Sequence, residues 1–222
     1  MRGRPRKKAA GSWEANEFSD DPGTRERMLE AAAELFLRQG FATTTIRQIA
    51  ESCGVTPGAI YNHFSSKDEI LYSIISFTQG TAEKEMHLAL QRGSGDPKMR
   101  LYQVARALTS INCRYRINAL ASNKEYRGLE EPYLSEILAG RRRLRGYIER
   151  VLEEGGDAGV FILPQVAGKP SARIAGIAIG DMCIRAAEWF RPDGPATVEE
   201  LAREYALMAL RCVGVNDFMP PE

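Results

Sequence analysis

The sequence predicts an all-α protein, and three observations carry that reading. Apolar residues recur at three- and four-residue spacing through most of the chain. Helix-capping residues stand where those runs begin and end, and no stretch alternates apolar with polar residues as a half-buried strand would.

The elements follow in order. Residues 1–23 open with Arg2, Arg4, Arg6, Lys7 and Lys8, have no acid before Glu14, and show no sustained period, which makes them a flexible basic arm. From residue 24, Met28, Ala31, Ala32, Leu35 and Phe36 fall at helical spacing, and Gly40 can take the positive φ that closes a helix of residues 24–39. Thr45 followed by Gln48 forms a capping box for a second helix with Ile46, Ile49, Ala50 and Cys53 on its inner face. Gly54 permits a tight turn. Thr56 and Pro57 then supply an N-cap and a proline at the first helical position of a short third helix ending near Phe64. Ser66 and Glu69 read as a further capping box, opening an amphipathic helix through Ile70, Leu71, Ile74, Ile75 and Phe77. A glycine-rich break at residues 92–97 follows. Beyond it the periodicity predicts helices over residues 98–121, 131–154, 171–190 and 198–213.

At 222 residues, 44% hydrophobic and 27% charged, the composition is that of a soluble globular protein. The longest nearly apolar stretch, residues 174–184, contains Asp181 and is too short for a membrane span, which needs roughly 20 residues. No apolar segment follows the basic N-terminus as a secretory signal requires, so a cytoplasmic location is expected. Cys53, Cys113, Cys183 and Cys212 are far apart and form no CxxC pair, and neither His63 nor His87 has a companion at metal-ligand spacing. Small buried thiols, no cofactor and no metal site are the expectation. There is no nucleophile–base pair or phosphate loop either, so an enzyme is not expected.

The second and third helices, joined through Gly54 and able to pack Ile46, Ile49, Ala50, Val55, Ala59, Ile60 and Phe64 between them, make a helix-turn-helix. The third helix leaves Thr56, Gly58, Tyr61, Asn62 and His63 outward, a small polar surface suited to base edges and phosphates. Residues 43–71, TTTIRQIAESCGVTPGAIYNHFSSKDEIL, closely resemble the N-terminal domain of tetracycline-repressor (TetR) family regulators, as does the preceding helix with its glycine; the match spans residues 24–77. The resemblance implies a three-helix DNA-binding domain (residues 24–70) followed by a helical ligand-binding and dimerisation domain (residues 71–216), with residues 217–222 as a tail. It further implies phosphate contact by Thr45, base reading by Arg47, base or backbone contact by Thr56, Gly58 and Tyr61, and phosphate binding by His63 and Lys67. Each position also has a structural reading: Thr45 and Thr56 as caps alone, Gly58 as a packing residue, Tyr61 as part of the core.

Arg2, Gly3, Arg4 and Pro5 resemble an AT-hook core, whose arginines lie along a narrow A·T-rich minor groove. Between residues 9 and 70 acidic residues outnumber basic ones ten to five, so the arm is expected to supply much of the attraction to phosphate.

For the second half the resemblance implies architecture more than motifs. The last two long helices of each subunit would form a four-helix dimer interface, setting two recognition helices roughly 34 Å apart on a palindromic operator. Gly176 and Gly180, one turn apart, admit a close helix, either within the chain or from a second subunit. Residues 189–195, WFRPDGP, resemble a segment of family members associated with acyl-CoA or lipid-derived ligands. On that basis Tyr115, Arg116, Arg185, Trp189 and Arg191 are candidate contacts for an acyl-CoA thioester effector; each taken singly also reads as a surface charge or a packing aromatic. Arg141, Arg142, Arg143 and Arg145 form a second basic cluster, which could meet coenzyme A phosphates or DNA but whose spacing runs around a helix and reads as a solvated surface. The expected function is a ligand-responsive repressor; an effector-independent activator or architectural DNA-binding protein is the competing reading.

Overall fold

The computed structural model describes residues 22–92 and 95–220. Nine α-helices occupy the described residues: α1 (Pro22–Gln39), α2 (Ile46–Cys53), α3 (Pro57–Tyr61), α4 (Lys67–Arg92), α5 (Pro97–Arg114), α6 (Arg116–Glu125), α7 (Tyr133–Asp157), α8 (Ala172–Trp189) and α9 (Val198–Arg211). The basic arm, with Arg2, Arg4 and Arg6, lies outside the described residues.

The local signals act where expected. Gly40 and Gly54 take φ of 91° and 69°, the left-handed region that lets α1 and α2 end abruptly. Thr45 Oγ1 accepts from the Gln48 N–H while the Gln48 side chain accepts from the Thr45 N–H, closing both halves of the capping box. Thr56 Oγ1 accepts from the Ala59 N–H at the start of α3. At α4 the box is only half made: Ser66 Oγ accepts from the Glu69 N–H, but the Glu69 carboxylate accepts instead from the N–H and hydroxyl of Ser65.

α1, α2 and α3 pack into one core with the first turns of α4, built on Met28, Phe36, Ile49, Ile60, Phe64, Ile70 and Ile74, all essentially inaccessible. Farther along the same α4, Ala82, Met86 and Ala89 belong to a second core shared with α5, α7, α8 and α9. The expected division near residue 70 therefore falls inside a continuous helix. The first core is not self-contained, because Ala121, Leu129 and Ile137 from the second half complete it.

Three features differ from the sequence reading. The single helix expected over residues 98–121 breaks at Tyr115, whose φ and ψ of −101° and 43° leave the helical region. No proline or glycine announces the break; the Tyr115 ring meets Phe77 of α4 edge-on, with centroids 5.1 Å apart. A two-stranded hairpin, β1 (Gln165–Val166) and β2 (Lys169–Pro170), precedes α8 and turns through Ala167 and Gly168, both at positive φ. Of the four cysteines, all free, Cys113 and Cys183 are buried as expected, whereas Cys53 is half-buried and Cys212 exposed. Burial pushes the Cys113 thiol up to about 11 and the Cys183 thiol up to about 12. At the C-terminal end Phe218, in the expected tail, lies 5.4 Å from the Tyr102 ring and packs against the core.

The glycines of α8 face inward. A Cβ on Gly176 would stand 3.0 Å from Glu149 Cγ of α7, and one on Gly180 would meet Ile148 at 3.6 Å. Their closest neighbour is thus a helix of the same chain. On the other side of α8, Ile174 is exposed. Among the described residues no helix is long and apolar enough to cross a membrane, and no group of His, Cys, Asp and Glu is placed to hold a metal ion.

Candidate nucleic-acid interface and ligand cavity

Burial of Ile49, Ala50, Ile60 and Phe64 fixes which residues of α2 and α3 face outward. Thr45, Arg47 and Gln48 are exposed on the first helix, and Thr56, Gly58, Tyr61 and Asn62 on and just after the second; His63 is half-buried. Tyr61 is 58% exposed, which removes the reading of its ring as core. A Cβ on Gly58 would meet only Thr56 Oγ1, at 3.8 Å, so no neighbour in the chain requires a glycine there. What its bare backbone permits is close approach from outside. Arg47 carries its guanidinium in solvent, in an ion pair with Glu51 one turn on at 3.1 Å. Such an exposed pair is weak and readily exchanged for another anion.

Lys67 is differently placed. Its ammonium donates to the carbonyls of Phe41, Ala42 and Thr44 at 2.7, 3.3 and 2.9 Å and sits 4.4 Å from the centre of the Phe41 ring. An ammonium has three protons, and all three are engaged. Lys67 thus staples the turn between α1 and α2 to the start of α4, leaving its charge but not its hydrogen bonds to act on a phosphate. Thr44, which sequence reasoning passed over, is buried beneath the same turn and donates to the Gly40 carbonyl at 2.7 Å.

The end of α1 is also held from the second half. Lys124 Nζ of α6 donates to the Leu37 carbonyl at 3.2 Å, and the Glu125 carboxylate accepts from the Phe41 N–H at 3.1 Å. A Cβ on Gly128 would stand 3.1 Å from the Phe41 ring.

A cavity of about 510 Å³ opens among α4, α5, α6, α7 and α8. Ile75, Leu108, Ala119 and Ile148 supply apolar wall, while Arg141, Arg142, Arg145 and Arg173 face a single carboxylate, Asp181. Arg145 follows Arg141 by four residues and Arg142 by three, spacings that share a helix face, so the three fall on one side of α7. Arg143 turns away and pairs with Glu83 at 3.2 Å. The basic run expected to be a solvated surface is thus, at three of its four positions, cavity wall. Burial lowers the Arg141 guanidinium from its ordinary value, opposed by Tyr126 and Asp181.

The structure does not bring the five expected ligand contacts together. Tyr115 lines a separate cavity of about 570 Å³ between α4, α5 and α9, with Arg106 and Arg114. Arg116, Arg185, Trp189 and Arg191 line neither cavity. Arg116 reaches the Glu188 carbonyl at 3.5 Å, Arg185 pairs with the Glu188 carboxylate at 2.9 Å, and Trp189 Nε1 donates to the Tyr205 hydroxyl at 2.9 Å. Arg191 is exposed. The segment they come from lies on the outside of α8 and in the link to α9.

Comparison with known proteins finds matches to both halves of the chain. Residues 28–74 match the family model "Bacterial regulatory proteins, tetR family", and residues 94–213 match "Tetracyclin repressor-like, C-terminal domain". The chain is 29% identical over 204 residues to the HTH-type transcriptional repressor KstR2 of Rhodococcus jostii, covering 88% of this chain and 94% of that protein. Among solved structures, the TetR family regulator PfmR of Thermus thermophilus superposes with a TM-score of 0.72 at 31% identity, covering 83% and 97% of the two chains. AibR, solved with isovaleryl coenzyme A and operator DNA, shares the fold with a TM-score of 0.70 at 22% identity, covering 83% and 97%. With a helix-turn-helix exposed at one end, a cavity among the helices behind it, and both halves matched by the family models, the chain belongs to the TetR family of transcriptional regulators.

Proposed function

We propose that this protein is a ligand-responsive transcriptional repressor of the cytoplasm that binds a palindromic operator as a homodimer and releases it when a small molecule enters the 510 Å³ cavity. The observation that carries the reading is the path of α4. Its first turns complete the core under α2 and α3, and its next turns line the cavity with Ile75, Thr78, Gln79 and Ala82. A ligand that displaces the middle of a continuous helix changes the pose of the reading head, and it shifts the equilibrium only by its difference in affinity for the two poses.

On DNA, Arg47 would donate both guanidinium edges to a guanine, Thr56, Gly58, Tyr61 and Asn62 would meet bases or backbone, and Thr45 and His63 would meet phosphates. Two subunits would join through the outer faces of α8 and α9, with Ile174 leaving apolar surface open on α8. An acyl-CoA or other lipid-derived effector is supported by the excess of arginine in the cavity and by the bound isovaleryl coenzyme A of AibR.

The test is binding of the purified protein to the intergenic DNA upstream of its own gene at stated salt, with Arg47→Ala and Tyr61→Ala beside the wild type, followed by titration with isovaleryl and octanoyl coenzyme A. Specific binding lost in both variants and released by a thioester is the expected result. Specific binding that no effector disturbs would favour a constitutive regulator, and absence of sequence preference would overturn the proposal.

A further inference from the structure

Residues 123–126 face two ways. Asn123 and Tyr126 line the 510 Å³ cavity, while Lys124 and Glu125 between them hold the Leu37 carbonyl and the Phe41 N–H at the end of α1. Arg141 of α7 binds the cavity-facing pair: its guanidinium donates to Asn123 Oδ1 at 2.8 Å and lies 4.0 Å from the centre of the Tyr126 ring. One residue therefore clamps, from inside the cavity, the segment that clamps the reading head from outside it.

That clamp is incompletely satisfied. Arg141 Nε is buried without an acceptor, and so is the hydroxyl of Ser122, a residue only 5% exposed in the same cavity wall. Buried donors without acceptors are unfavourable, and they mark a place where an incoming oxygen gains more than it would at a satisfied surface. Arg145 is paired with Glu149 at 3.3 Å, which leaves Arg141, Arg142 and Arg173 in the lining against Asp181, so an anionic oxygen is favoured over a neutral one, and a guanidinium can meet it through two parallel bonds.

We propose that the cavity beside Arg141 and Ser122 is a site for an anionic oxygen group, carboxylate or phosphate, carried on an apolar body, and that this group acts on the reading head by drawing Arg141 away from Asn123. The proposal rests on the cavity being the effector site. Arg141 is then a positioning residue for DNA binding: it touches no DNA, and its loss mimics the ligand.

The experiment is amide hydrogen exchange across residues 37–45 of the full-length protein, where the Phe41 N–H reports directly on its bond to Glu125. Arg141→Met and Asn123→Ala, without ligand, are expected to raise exchange there about tenfold while α2 stays as protected as in the wild type. Ile179→Val, which loosens the buried core of α8 without touching the segment, is expected to leave it unchanged. Octanoate or octyl phosphate added to the wild type should reproduce the rise, octanol should not, and neither anion should act further on Arg141→Met. Whichever anion acts identifies the head group. Unchanged exchange in both Arg141→Met and Asn123→Ala, no response to either anion, or an equal response to octanol would overturn the proposal. Release of DNA by a neutral ligand with residues 37–45 quiet would overturn it too, while leaving the effector reading of the cavity intact.

Discussion

Replacing Gly58 with alanine should move folding stability and DNA affinity in opposite directions. Inside the chain the new methyl would meet only Thr56 Oγ1 at 3.8 Å, an ordinary contact, and Gly58 does not sit at positive φ. Alanine restricts the unfolded chain, so Gly58→Ala should stabilise the fold by ~0.4–1 kcal/mol. For a chain of this length that is a rise in melting temperature of ~1–4 °C, read at fixed protein concentration because association shifts the transition. On the outer surface the same methyl projects where the proposed interface needs the backbone to come close. If the fit to DNA is as tight as a packed core, the overlap costs about 1–3 kcal/mol, a loss of roughly fivefold to more than a hundredfold in operator affinity. Thermal denaturation followed by circular dichroism and fluorescence anisotropy on labelled operator measure the two effects on one preparation. A fall in stability would show that Gly58 serves packing after all. Unchanged affinity in a stabilised variant would place DNA elsewhere than over α3.

Arg47→Ala removes one exposed ion pair and should change stability by less than ~0.5 kcal/mol, yet weaken binding to a site with the preferred base by ~1–3 kcal/mol; equal weakening on all sequences would show that it meets only phosphate. Lys67→Met removes a donor from three carbonyls, of which Phe41 keeps the Thr44 N–H, and should cost ~2–3 kcal/mol of stability, seen as a melting temperature lower by ~4–12 °C; a variant as stable as the wild type would restore Lys67 as a free phosphate ligand. On the inner face of α8, Gly176→Leu should destabilise by ~1–3 kcal/mol against Glu149, whereas Gly146→Ala, with open space around it, should stabilise by ~0.5–1 kcal/mol; urea denaturation compares the two. The Glu69 carboxyl lies below its ordinary value of 4.5, chiefly through the Ser65 hydroxyl and N–H and with help from Arg25. A depressed carboxylate contributes stability above its unfolded value that is lost as pH falls through the folded one, so Glu69→Gln should flatten the loss of stability below about pH 4.5 and leave its slope near pH 7 unchanged; identical acid limbs would refute the assignment.

What could be read from the sequence is what acts over a few residues. Thr45 with Gln48, Thr56 with Pro57, and the glycines at 40 and 54 each act on a backbone group within a turn of themselves, so the order and ends of the first three helices follow from residue identity. The outward set on α2 and α3 follows as well, because burying Ile49, Ile60 and Phe64 leaves Arg47, Tyr61 and Asn62 no other direction. Family resemblance extends that reading to DNA, since the motif is local too.

Tertiary packing decided the rest, and it did so wherever a residue's role depends on a neighbour far away in the chain. Lys67 reads as a phosphate ligand at a helix start until the turn 23 to 26 residues earlier offers it three carbonyls. The arginines at 141, 142 and 145 read as solvated until α4, α5, α6 and α8 set a cavity beside them. Tyr115 carries no breaker signal, and the Phe77 ring it meets comes from another helix. The sequence by itself determined an all-α chain with a helix-turn-helix near its start, because capping and periodicity are short-range. Which charges face a cavity, and which residues tie that cavity to the reading head, only the packed structure decided, because those contacts join groups that lie 18 to 87 residues apart.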